Sequence, residues 1–388
     1  MRLLIVTNQF PFPGETSRGT FNANQFLELP ADIDVHVVVP VPFRQWRRSY
    51  GAVHDWGRCR VRYLPFYYPP GFAQGWHGDA YYLSLLIGAR RWLSDVDPEV
   101  VLGSFLYPDG YAAARLAAAM HVPLVLKAHG SDVNQKSAAP ALRRGIGRAL
   151  GQAAAVVVVS AALRQQLELL GTSRDKIKVV YNGVNTAAFS PQDRAACRAQ
   201  LGLPEAGRLA LFAGNLKADK GAVDAVHAIC RLNADGVPAR LVIVGDGAAA
   251  TEMRRVVEQC GAQDLLLWQG RRPHRELATF MNAVDVLVLP SHAEGVPNVV
   301  LEALACGTPV VATAVGGIPE VLYEAAGALV PARDITALAH AMGEVFNRPF
   351  DRAAIRAQVA HLSWPGSAAQ LADVLRSAVD GAAARAMP

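Results

Sequence analysis

Short apolar runs alternate along the chain with longer stretches in which apolar residues recur at helical spacing. The runs predict buried strands, because strands of a parallel sheet are covered on both faces and read as continuous apolar segments. In the first half, strands are predicted at residues 3–6, 35–39, 61–64, 100–103, 124–127, 156–159 and 177–181. In the second half, they are predicted at residues 209–213, 241–244, 265–268, 286–289, 310–312 and 328–330.

Helices are predicted between these strands, at residues 80–93, 111–120, 219–234, 251–260, 276–282 and 299–306. Strands that alternate with helices predict parallel sheets covered by helices on both faces. Two such series are too many for one core, so we expect two doubly wound α/β domains. The turn signal Asn182-Gly183 separates them. The predicted domains are residues 1–184, rejoined by a C-terminal helix at about residues 366–384, and residues 185–365.

The composition is that of a folded chain. It has 388 residues, of which 52% are hydrophobic and 18% charged, and this excludes a disordered protein. Five widely spaced cysteines without a CxxC pair exclude a zinc ribbon and give no disulfide framework, as is typical of a reducing cytoplasm. The N-terminal apolar run is too short for a signal peptide, and the uncharged stretch 149–163 is too short to span a bilayer. We therefore expect a cytoplasmic protein.

The segment from residue 290 to residue 309 holds two carboxylates. Glu294 lies in the loop after the strand predicted at 286–289, and Glu302 lies in the following helix. Carboxylates accept charge-assisted hydrogen bonds from hydroxyl groups, so the pair suits a hydroxyl-rich ligand. The helix start between them favours a phosphate, through its backbone N–H groups and its dipole. The residues of this start are Gly295, Val296, Pro297, Asn298 and Val299. The alternative is a helix-start acid beside a surface acid.

Further candidates follow other predicted strands. A glycine turn with a nearby lysine can hold a diphosphate, and Gly214, Asn215 and Lys220 form such a segment, with a solvated lysine as the alternative. His129 follows the strand predicted at 124–127, and nearby Asp132 is typical of a helix N-cap. Gly245 and Gly247 follow the strand predicted at 241–244, and Arg272 follows the strand predicted at 265–268. The alternative for these three residues is that they form structural turns.

Together these segments resemble a known family. The pattern Glu-x7-Glu in the setting EGVPNVVLEALACGTPVVAT, followed by VGGIPE, resembles retaining GT-B glycosyltransferases of the GT4 type, and the resemblance covers nearly the whole chain. It implies two Rossmann-like domains that face a central cleft. It implies that Glu294 contacts hydroxyls of the donor sugar, that Glu302 holds the ribose of a nucleotide, and that Lys220 meets the donor diphosphate. Many members have Arg where this chain has Asn215, so this chain lacks one cation of that pattern.

The resemblance also implies roles for the weaker candidates. Gly245 and Gly247 match a GxG loop beside the nucleotide, and the backbone near Arg272 matches a base contact. His129 matches a histidine that faces the donor sugar, where we expect it to polarise or position the sugar. Gly19 lies in the loop that approaches the diphosphate and the acceptor.

The resemblance predicts a retaining glycosyltransferase that moves a sugar from a UDP- or GDP-sugar to a hydroxyl of a glycan or lipid-linked acceptor. The fragments YPDGYAA and HGSDVN resemble the branch that builds bacterial cell-surface polysaccharides, including members of the teichuronic-acid type. Another GT-B enzyme, such as a nucleotide-sugar epimerase or a phosphorylase, is an alternative, as is a non-catalytic sugar-nucleotide binder. No cofactor is expected, since the nucleotide sugar is a substrate.

No metal ion is expected either. Asp32-x-Asp34 and Asp95-x-Asp97 look like the DxD metal motif of GT-A transferases, but both lie in polar turn contexts and are interpreted as solvated turns. The sequence has no HExxH segment, metal-spaced histidine cluster, GxSxG segment or Walker loop.

Positive charge is concentrated in the first half. The formal charge is +5, and residues 1–180 carry 20 Lys and Arg against 13 Asp and Glu, whereas residues 181–388 carry 18 against 20. Residues 43–76 hold 10 of the 29 aromatic residues and six arginines, at positions 44, 47, 48, 58, 60 and 62. Aromatic and Arg side chains suit an anionic membrane surface, so we expect peripheral attachment to the inner face of the cell membrane through the region from Arg44 to Arg62. The alternative is scattered strand-edge arginines beside core aromatics, and no nucleic-acid partner is expected.

Overall fold

A computed structural model describes residues 1–16, 18–68, 74–134 and 139–386. The strands are β1 (Arg2–Val6), β2 (Asp34–Pro42), β3 (Val53–Trp56), β4 (Cys59–Phe66), β5 (Val100–Ser104), β6 (Leu124–Ala128), β7 (Ala155–Val158), β8 (Ile177–Val179), β9 (Arg208–Ala213), β10 (Ala239–Val244), β11 (Leu266–Gly270), β12 (Val286–Leu289), β13 (Val310–Thr313) and β14 (Gly327–Val330). The helices are α1 (Thr20–Leu27), α2 (His77–Gly88), α3 (Arg90–Val96), α4 (Tyr111–Met120), α5 (Ser131–Asn134), α6 (Pro140–Gln152), α7 (Ala161–Leu169), α8 (Arg194–Leu201), α9 (Ala222–Ala234), α10 (Ala250–Gln259), α11 (Leu277–Ala283), α12 (Asn298–Ala305), α13 (Ile335–Asn347), α14 (Arg352–Ala357) and α15 (Trp364–Ala386).

The chain divides into two compact units. Unit 1 contains Met1–Asn182 and Trp364–Pro388, and unit 2 contains Gly183–Ser363. Over the described residues, the sheet of unit 1 has the strand order β3-β4-β2-β1-β5-β6-β7-β8, and that of unit 2 has the order β11-β10-β9-β12-β13-β14. Among the described strand pairs, β3–β4 alone is antiparallel. Two largely parallel sheets confirm the predicted α/β class.

Every predicted strand is confirmed at its position, with shifts of a few residues at its ends. β3 was not predicted, because its residues alternate between exposed and half-buried at the sheet edge and offer no apolar run. It pairs with β4 so that Trp56 lies opposite Cys59 across a two-residue turn. Gly57 in that turn has φ 58°, a conformation that favours glycine. An edge strand of this kind cannot be predicted from continuous apolar runs, because it has none.

The single helix predicted at residues 80–93 is wrong, because the structure has two helices there. α2 ends at Gly88, α3 begins two residues later, and Ala89 between them has φ −130° and ψ 1°, outside helical geometry. A Cβ on Gly88 would lie 2.9 Å from Leu64 Cδ2, and the Gly88 carbonyl accepts a hydrogen bond from Arg62 Nη2 at 2.9 Å. Contacts with β4 therefore accompany the break.

The sheet of unit 1 is buried on both faces. Leu4 and Val6 of β1 pack on the side of α2, α4, α6 and α7, whereas Leu3 and Ile5 pack on the side of α1 and α15. Leu371 of α15 is fully buried on that second side, and burial of one such side chain stabilises the fold by about 1.5–3 kcal/mol. The last helix therefore belongs to the core of unit 1.

In unit 2, the apolar strands pack against α9, α10 and α13, with Phe212 and Ile243 fully buried among them. The strands are parallel, so their carboxyl ends meet at one edge of the sheet. Loops at this edge are the usual ligand sites of doubly wound sheets. The loops that follow β9, β10, β11 and β12 carry the candidates of unit 2.

Candidate functional site

The loop after β12 places Glu294 against a cation. The Glu294 side chain is 8% exposed, and its Oε1 accepts hydrogen bonds from Lys220 Nζ at 2.6 Å and from Ser291 Oγ at 2.8 Å. The Lys220 side chain is 33% exposed. Charge-assisted bonds of this length fix the position of the carboxylate. The residue predicted to contact the sugar and the cation predicted to meet the diphosphate are thus direct neighbours.

A glycine holds the loop of Lys220 against the loop of Glu294. Gly221 has φ 67° and precedes α9, which begins at Ala222, so the helix predicted from residue 219 starts later than expected. A Cβ on Gly221 would lie 1.9 Å from the carbonyl oxygen of Pro290, and a side chain is excluded there. The backbone that carries Lys220 therefore touches the backbone that leads to Glu294.

His292 adds two contacts between the same loops. Its backbone N–H donates to the Asp219 carbonyl at 2.8 Å, and its Nε2 lies 2.8 Å from Asp224 Oδ2 at the start of α9. His292 was not among the predicted site residues. Its contacts, like those of Gly221, give the Lys220–Glu294 pair a defined geometry.

The start of α12 corrects one predicted role. Pro297 is the N-cap residue of this helix, and proline has no N–H to offer a phosphate. Its contribution is to direct the chain into the helix, with φ −74°. Asn298 and Val299 form the first turn, at the positive end of the helix dipole. The Gly295 carbonyl accepts a hydrogen bond from Gly317 N at 2.7 Å, which supports the loop that also contains Val296.

Glu302 has a partner that the sequence did not indicate. Its side chain is 9% exposed, and Oε1 lies 2.7 Å from Nε2 of His274, which follows β11 in a short 3-10 helix. The hydrogen bond to Glu302 raises the pKa of His274 above its usual value, although burial opposes the shift. The strand-end rule that selected Arg272 also covered His274 two residues further on, but nothing in the spacing paired it with Glu302.

The glycines after β9 and β10 have a structural reason. A Cβ on Gly245 would lie 1.9 Å from the carbonyl oxygen of Gly214, and one on Gly247 would lie 2.4 Å from that of Leu216. Gly214 N donates to Val244 O at 2.9 Å. The two loops therefore pack backbone against backbone, which supports the interpretation of Gly245 and Gly247 as structural turns.

Asn215 and Arg272 are both exposed at the same sheet edge. The Asn215 carbonyl accepts a hydrogen bond from Lys217 N at 2.9 Å. Arg272 Nε donates to Gln269 O at 2.9 Å, and its Nη1 lies 3.9 Å from Glu276. The guanidinium of Arg272 thus binds groups of its own segment. The predicted contact with the nucleotide base is assigned to the backbone near Arg272 and not to its side chain.

In unit 1, His129 lies at the end of β6 within a polar network. Its Nε2 lies 2.9 Å from Ser104 Oγ, and its ring packs on Phe21, with centroids 4.8 Å apart. Burial lowers the pKa of His129 well below its usual value, and nearby Lys127 lowers it further. His129 is therefore neutral near pH 7.

The network also identifies the tautomer of His129. Asn22 Nδ2 donates to Gln9 O at 2.8 Å, so Asn22 Oδ1 faces Ser104 and accepts its hydroxyl proton at 3.1 Å. Because the only hydroxyl proton of Ser104 is used in this bond, Nε2 of His129 must donate to Ser104 Oγ. The proton of neutral His129 is thus on Nε2, and Nδ1 is an acceptor.

Asp132 holds the loop of His129 in place. Its Oδ1 accepts from the N–H groups of His129 and Gly130 at 3.0 and 2.9 Å, and its Oδ2 accepts from Leu106 N at 3.0 Å. A helix N-cap accepts from residues that follow it, whereas Asp132 accepts from residues that precede it and from a distant turn. These bonds fix the loop of His129. Asp132 lies inside α5, which begins at Ser131, and not at the N-cap position before the helix.

Gly19 is the N-cap residue of α1, with φ 59°. A Cβ there would lie 2.2 Å from the backbone carbonyl carbon of Gln9. Close packing of the two ends of the loop after β1 therefore requires glycine at this position.

The arginines between positions 44 and 62 do not form one surface. Arg58 donates to the Leu29 and Ile33 carbonyls, and Arg62 donates to Gly88 O. Arg60 is exposed but lies near the amino end of β4, whereas Arg44 and Arg47 are exposed beyond the carboxyl end of β2. The side chain of the residue at position 48 lies outside the described residues. Within the described ranges, no helix combines the length and the hydropathy needed to cross a bilayer.

Carboxylates of both DxD segments have side-chain partners. Asp32 binds Arg376 of α15 at 2.9 Å, Asp34 lies 2.9 Å from His36, and Asp97 pairs with Arg2 at 3.1 Å. In the part of the chain that the structure describes, no group of three or more His, Cys, Asp or Glu residues is arranged to hold a metal ion.

Two family models match the chain. Residues 193–360 match the glycosyl transferases group 1, and residues 23–188 match Glycosyltransferase Family 4. TuaC of Bacillus subtilis (strain 168), named as a glycosyltransferase of teichuronic acid biosynthesis, is 29% identical over 360 residues and covers 88% of each chain. The D-inositol 3-phosphate glycosyltransferase of Xylanimonas cellulosilytica is 34% identical over 309 residues, which are 74% of this chain and 73% of the relative.

Solved structures share the fold. Sucrose-phosphate synthase from Thermosynechococcus elongatus gives a TM-score of 0.81 at 22% identity, over 98% of this chain and 99% of that one. Anabaena HepE, in complex with UDP and glucose, gives a TM-score of 0.69 at 17% identity, over 99% of both chains. The fold is therefore GT-B, with two Rossmann-like units. The chain belongs to the glycosyl transferases group 1, of the GT4 type.

Proposed function

We propose that this glycosyltransferase moves a sugar from a UDP- or GDP-sugar to a hydroxyl of a glycan or lipid-linked acceptor, with retention at the anomeric carbon, in the biosynthesis of a bacterial polysaccharide. The observation that carries the proposal is the pairing of Lys220 with Glu294 at the sheet edge of unit 2, next to the start of α12. A cation, helix-start amides and two carboxylates suit a diphosphate between two hydroxyl-rich groups. The UDP complex of HepE and the name of TuaC support the donor class and the pathway.

Each group of unit 2 has a role in this proposal. Lys220 and the amides of Asn298 and Val299 meet the diphosphate, Glu302 accepts from the ribose hydroxyls, and Glu294 accepts from the sugar hydroxyls. Asn215 offers a hydrogen bond where many relatives have a cation. Donors fixed in this way stabilise the diphosphate as it leaves, while the sugar becomes oxocarbenium-like, as in glycoside hydrolysis. No covalent nucleophile is invoked.

In unit 1, His129 is assigned to the donor sugar. Its neutral Nε2–H tautomer leaves Nδ1 to accept a hydrogen bond from a sugar hydroxyl, and a neutral ring adds no positive charge beside an oxocarbenium-like centre. Asp132 and Ser104 hold this ring in place. The Gly19 loop is assigned to the diphosphate and the acceptor.

Product analysis with a labelled nucleotide sugar tests the proposal. Transfer leaves a nucleoside diphosphate and a labelled acceptor, an epimerase leaves an altered nucleotide sugar, and a phosphorylase leaves a sugar phosphate. A non-catalytic binder leaves the donor unchanged.

We also propose peripheral attachment to an anionic membrane, through a narrower surface than the sequence indicated. Phe43 and Tyr67 are 53% and 58% exposed, and their ring centroids are 4.6 Å apart. Exposed Arg44 directly follows Phe43, and exposed Arg47 lies three residues after Arg44. Exposed rings beside arginines suit a layer of anionic headgroups. A lipid-linked acceptor would be reached at such a surface.

Charge reversal of Arg44 and Arg47 together is expected to weaken binding to anionic vesicles by about tenfold or more, since each basic residue contributes about 1 kcal/mol near such a surface. Co-sedimentation with phosphatidylglycerol vesicles measures this. The matched control is Arg60→Glu. Arg60 is near the amino end of β4, whereas Tyr67 follows its carboxyl end, so this variant should bind the vesicles as the wild type does. Binding that ignores lipid charge and salt would contradict the proposal.

A further inference from the structure

His274, which was not among the predicted site residues, contacts one of them. It reaches Glu302 from a different loop, with 2.7 Å between Nε2 and Oε1, and the two residues are 28 positions apart in the chain. The Glu302 side chain is 9% exposed and the His274 side chain 40%. The ring of His274 also packs on Phe189, with centroids 5.3 Å apart. The imidazole is therefore held from two sides while one part of it faces solvent.

We propose that His274 is a positioning residue, which orients the Glu302 carboxylate for the ribose of a nucleotide and offsets its negative charge beside the diphosphate. This inference rests on the proposed function, in which Glu302 accepts from the ribose hydroxyls. The carboxylate has two oxygens and about four acceptor positions. His274 occupies one position on Oε1, so the carboxylate keeps acceptors for a pair of hydroxyls.

Charge gives His274 a second effect. A carboxylate near a diphosphate repels it, and a protonated imidazole on the far side of the carboxylate reduces that repulsion. The bond to Glu302 raises the pKa of His274, and an anionic ligand nearby favours the protonated form further. Nucleotide affinity should therefore be highest below this pKa and should fall as the pH rises through it. The segment of His274 also carries Arg271, Arg272, Arg275 and Glu276. Arg356 of α14 donates to the carbonyl of Phe189, whose ring packs on His274.

Binding of UDP and of GDP, measured by calorimetry on the full chain from pH 6 to pH 8.5, tests the proposal. His274→Ala loses both the hydrogen bond and the charge, and its Kd for the preferred nucleotide should rise by about tenfold or more, because hydrogen bonds to charged groups are of that strength. His274→Gln keeps an N–H for Glu302 but does not titrate. Its Kd should stay near the wild-type value at pH 8.5 and lack the wild-type gain at pH 6. The nucleotide phosphate titrates equally in all variants, so the ratio to wild type isolates His274.

Two further variants separate the possible failures. His340→Gln removes an exposed histidine that lies 3.6 Å from Glu344 in the same unit, and it should change nothing. Glu302→Gln should weaken nucleotide binding strongly if the proposed function is right. If Glu302→Gln does so while both His274 variants bind as the wild type at every pH, the role of His274 is refuted and the proposed function stands. If Glu302→Gln binds normally, the ribose assignment itself fails. In turnover, the His274 variants should raise KM for the donor and leave kcat unchanged.

Discussion

Replacing Glu294 with glutamine is expected to lower kcat for sugar transfer by about 10²–10³-fold, the usual cost of removing one fixed electrostatic group from an active site. Glutamine keeps the size of the side chain and an oxygen for Ser291 Oγ but removes the charge that pairs with Lys220. Donor binding should be largely retained, because Glu302, Lys220 and the α12 amides, which hold the nucleotide in our proposal, are unchanged. Initial rates with a labelled nucleotide sugar measure the effect.

The matched control is Glu324→Gln, an exposed carboxylate in the same unit. It should leave both kcat and the melting temperature unchanged, because exposed substitutions away from special features have small effects. A Glu294→Gln protein that melts earlier but turns over normally would show that Glu294 only holds the two loops together. That outcome would refute the proposed role of Glu294 at the donor sugar.

Replacing Lys127 with methionine is expected to stabilise the protein at pH 7. Lys127 of β6 is fully buried, and its Nζ has Gln25 Oε1 as a hydrogen-bond acceptor at 2.5 Å. Burial lowers its pKa from 10.5 to about 7. Between these two values the unfolded chain binds more protons than the folded one, so stability rises with pH across this window and the full penalty is present at pH 7 and below. One pKa unit corresponds to about 1.4 kcal/mol, so lowering the pKa from 10.5 to about 7 costs about 5 kcal/mol. An unpaired Gln25 costs about 1–3 kcal/mol, so the net gain is about 2–4 kcal/mol.

Urea unfolding from pH 7 to pH 10 checks this expectation. The advantage of Lys127→Met over the wild type should shrink as the pH rises, whereas Lys178→Met, an exposed lysine on β8, should follow the wild type throughout. A Lys127→Met protein that is destabilised equally at every pH would mean that Lys127 carries no burial penalty.

The fold was largely predictable from the sequence because buried parallel strands are continuous apolar runs. The wrong or missing predictions lie where the local sequence pattern is weak, or where contacts with distant parts of the chain decide the structure. The edge strand β3 has no buried face, so its sequence shows no apolar pattern that would predict a strand. The break at Ala89 coincides with packing against Leu64 and a hydrogen bond from Arg62, and the late start of α9 reflects the fit of Gly221 against Pro290.

The site was predictable residue by residue but not as a set of contacts. Strand-end positions and the Glu-x7-Glu spacing selected Glu294, Glu302 and Lys220, because ligands of such sheets bind at the carboxyl ends of strands. The partners of these residues could not be predicted, since His274 and Lys220 reach the two carboxylates from loops that are distant in the chain. The count of arginines also predicted too large a membrane surface, because Arg58 and Arg62 donate hydrogen bonds to backbone carbonyls.

The central claim, that the chain transfers a sugar from a nucleotide sugar, is tested most directly by product analysis. A thermal-shift panel of UDP-, GDP- and ADP-sugars selects the donor, since a ligand at 100 times its Kd stabilises by about 2.7 kcal/mol. The labelled donor is then incubated with the protein and with glycan and lipid fractions of the source cells. We expect free nucleoside diphosphate and label in one acceptor fraction, in the anomeric configuration of the donor. An altered nucleotide sugar, a labelled sugar phosphate, or a tightly bound donor that no fraction consumes would contradict the claim.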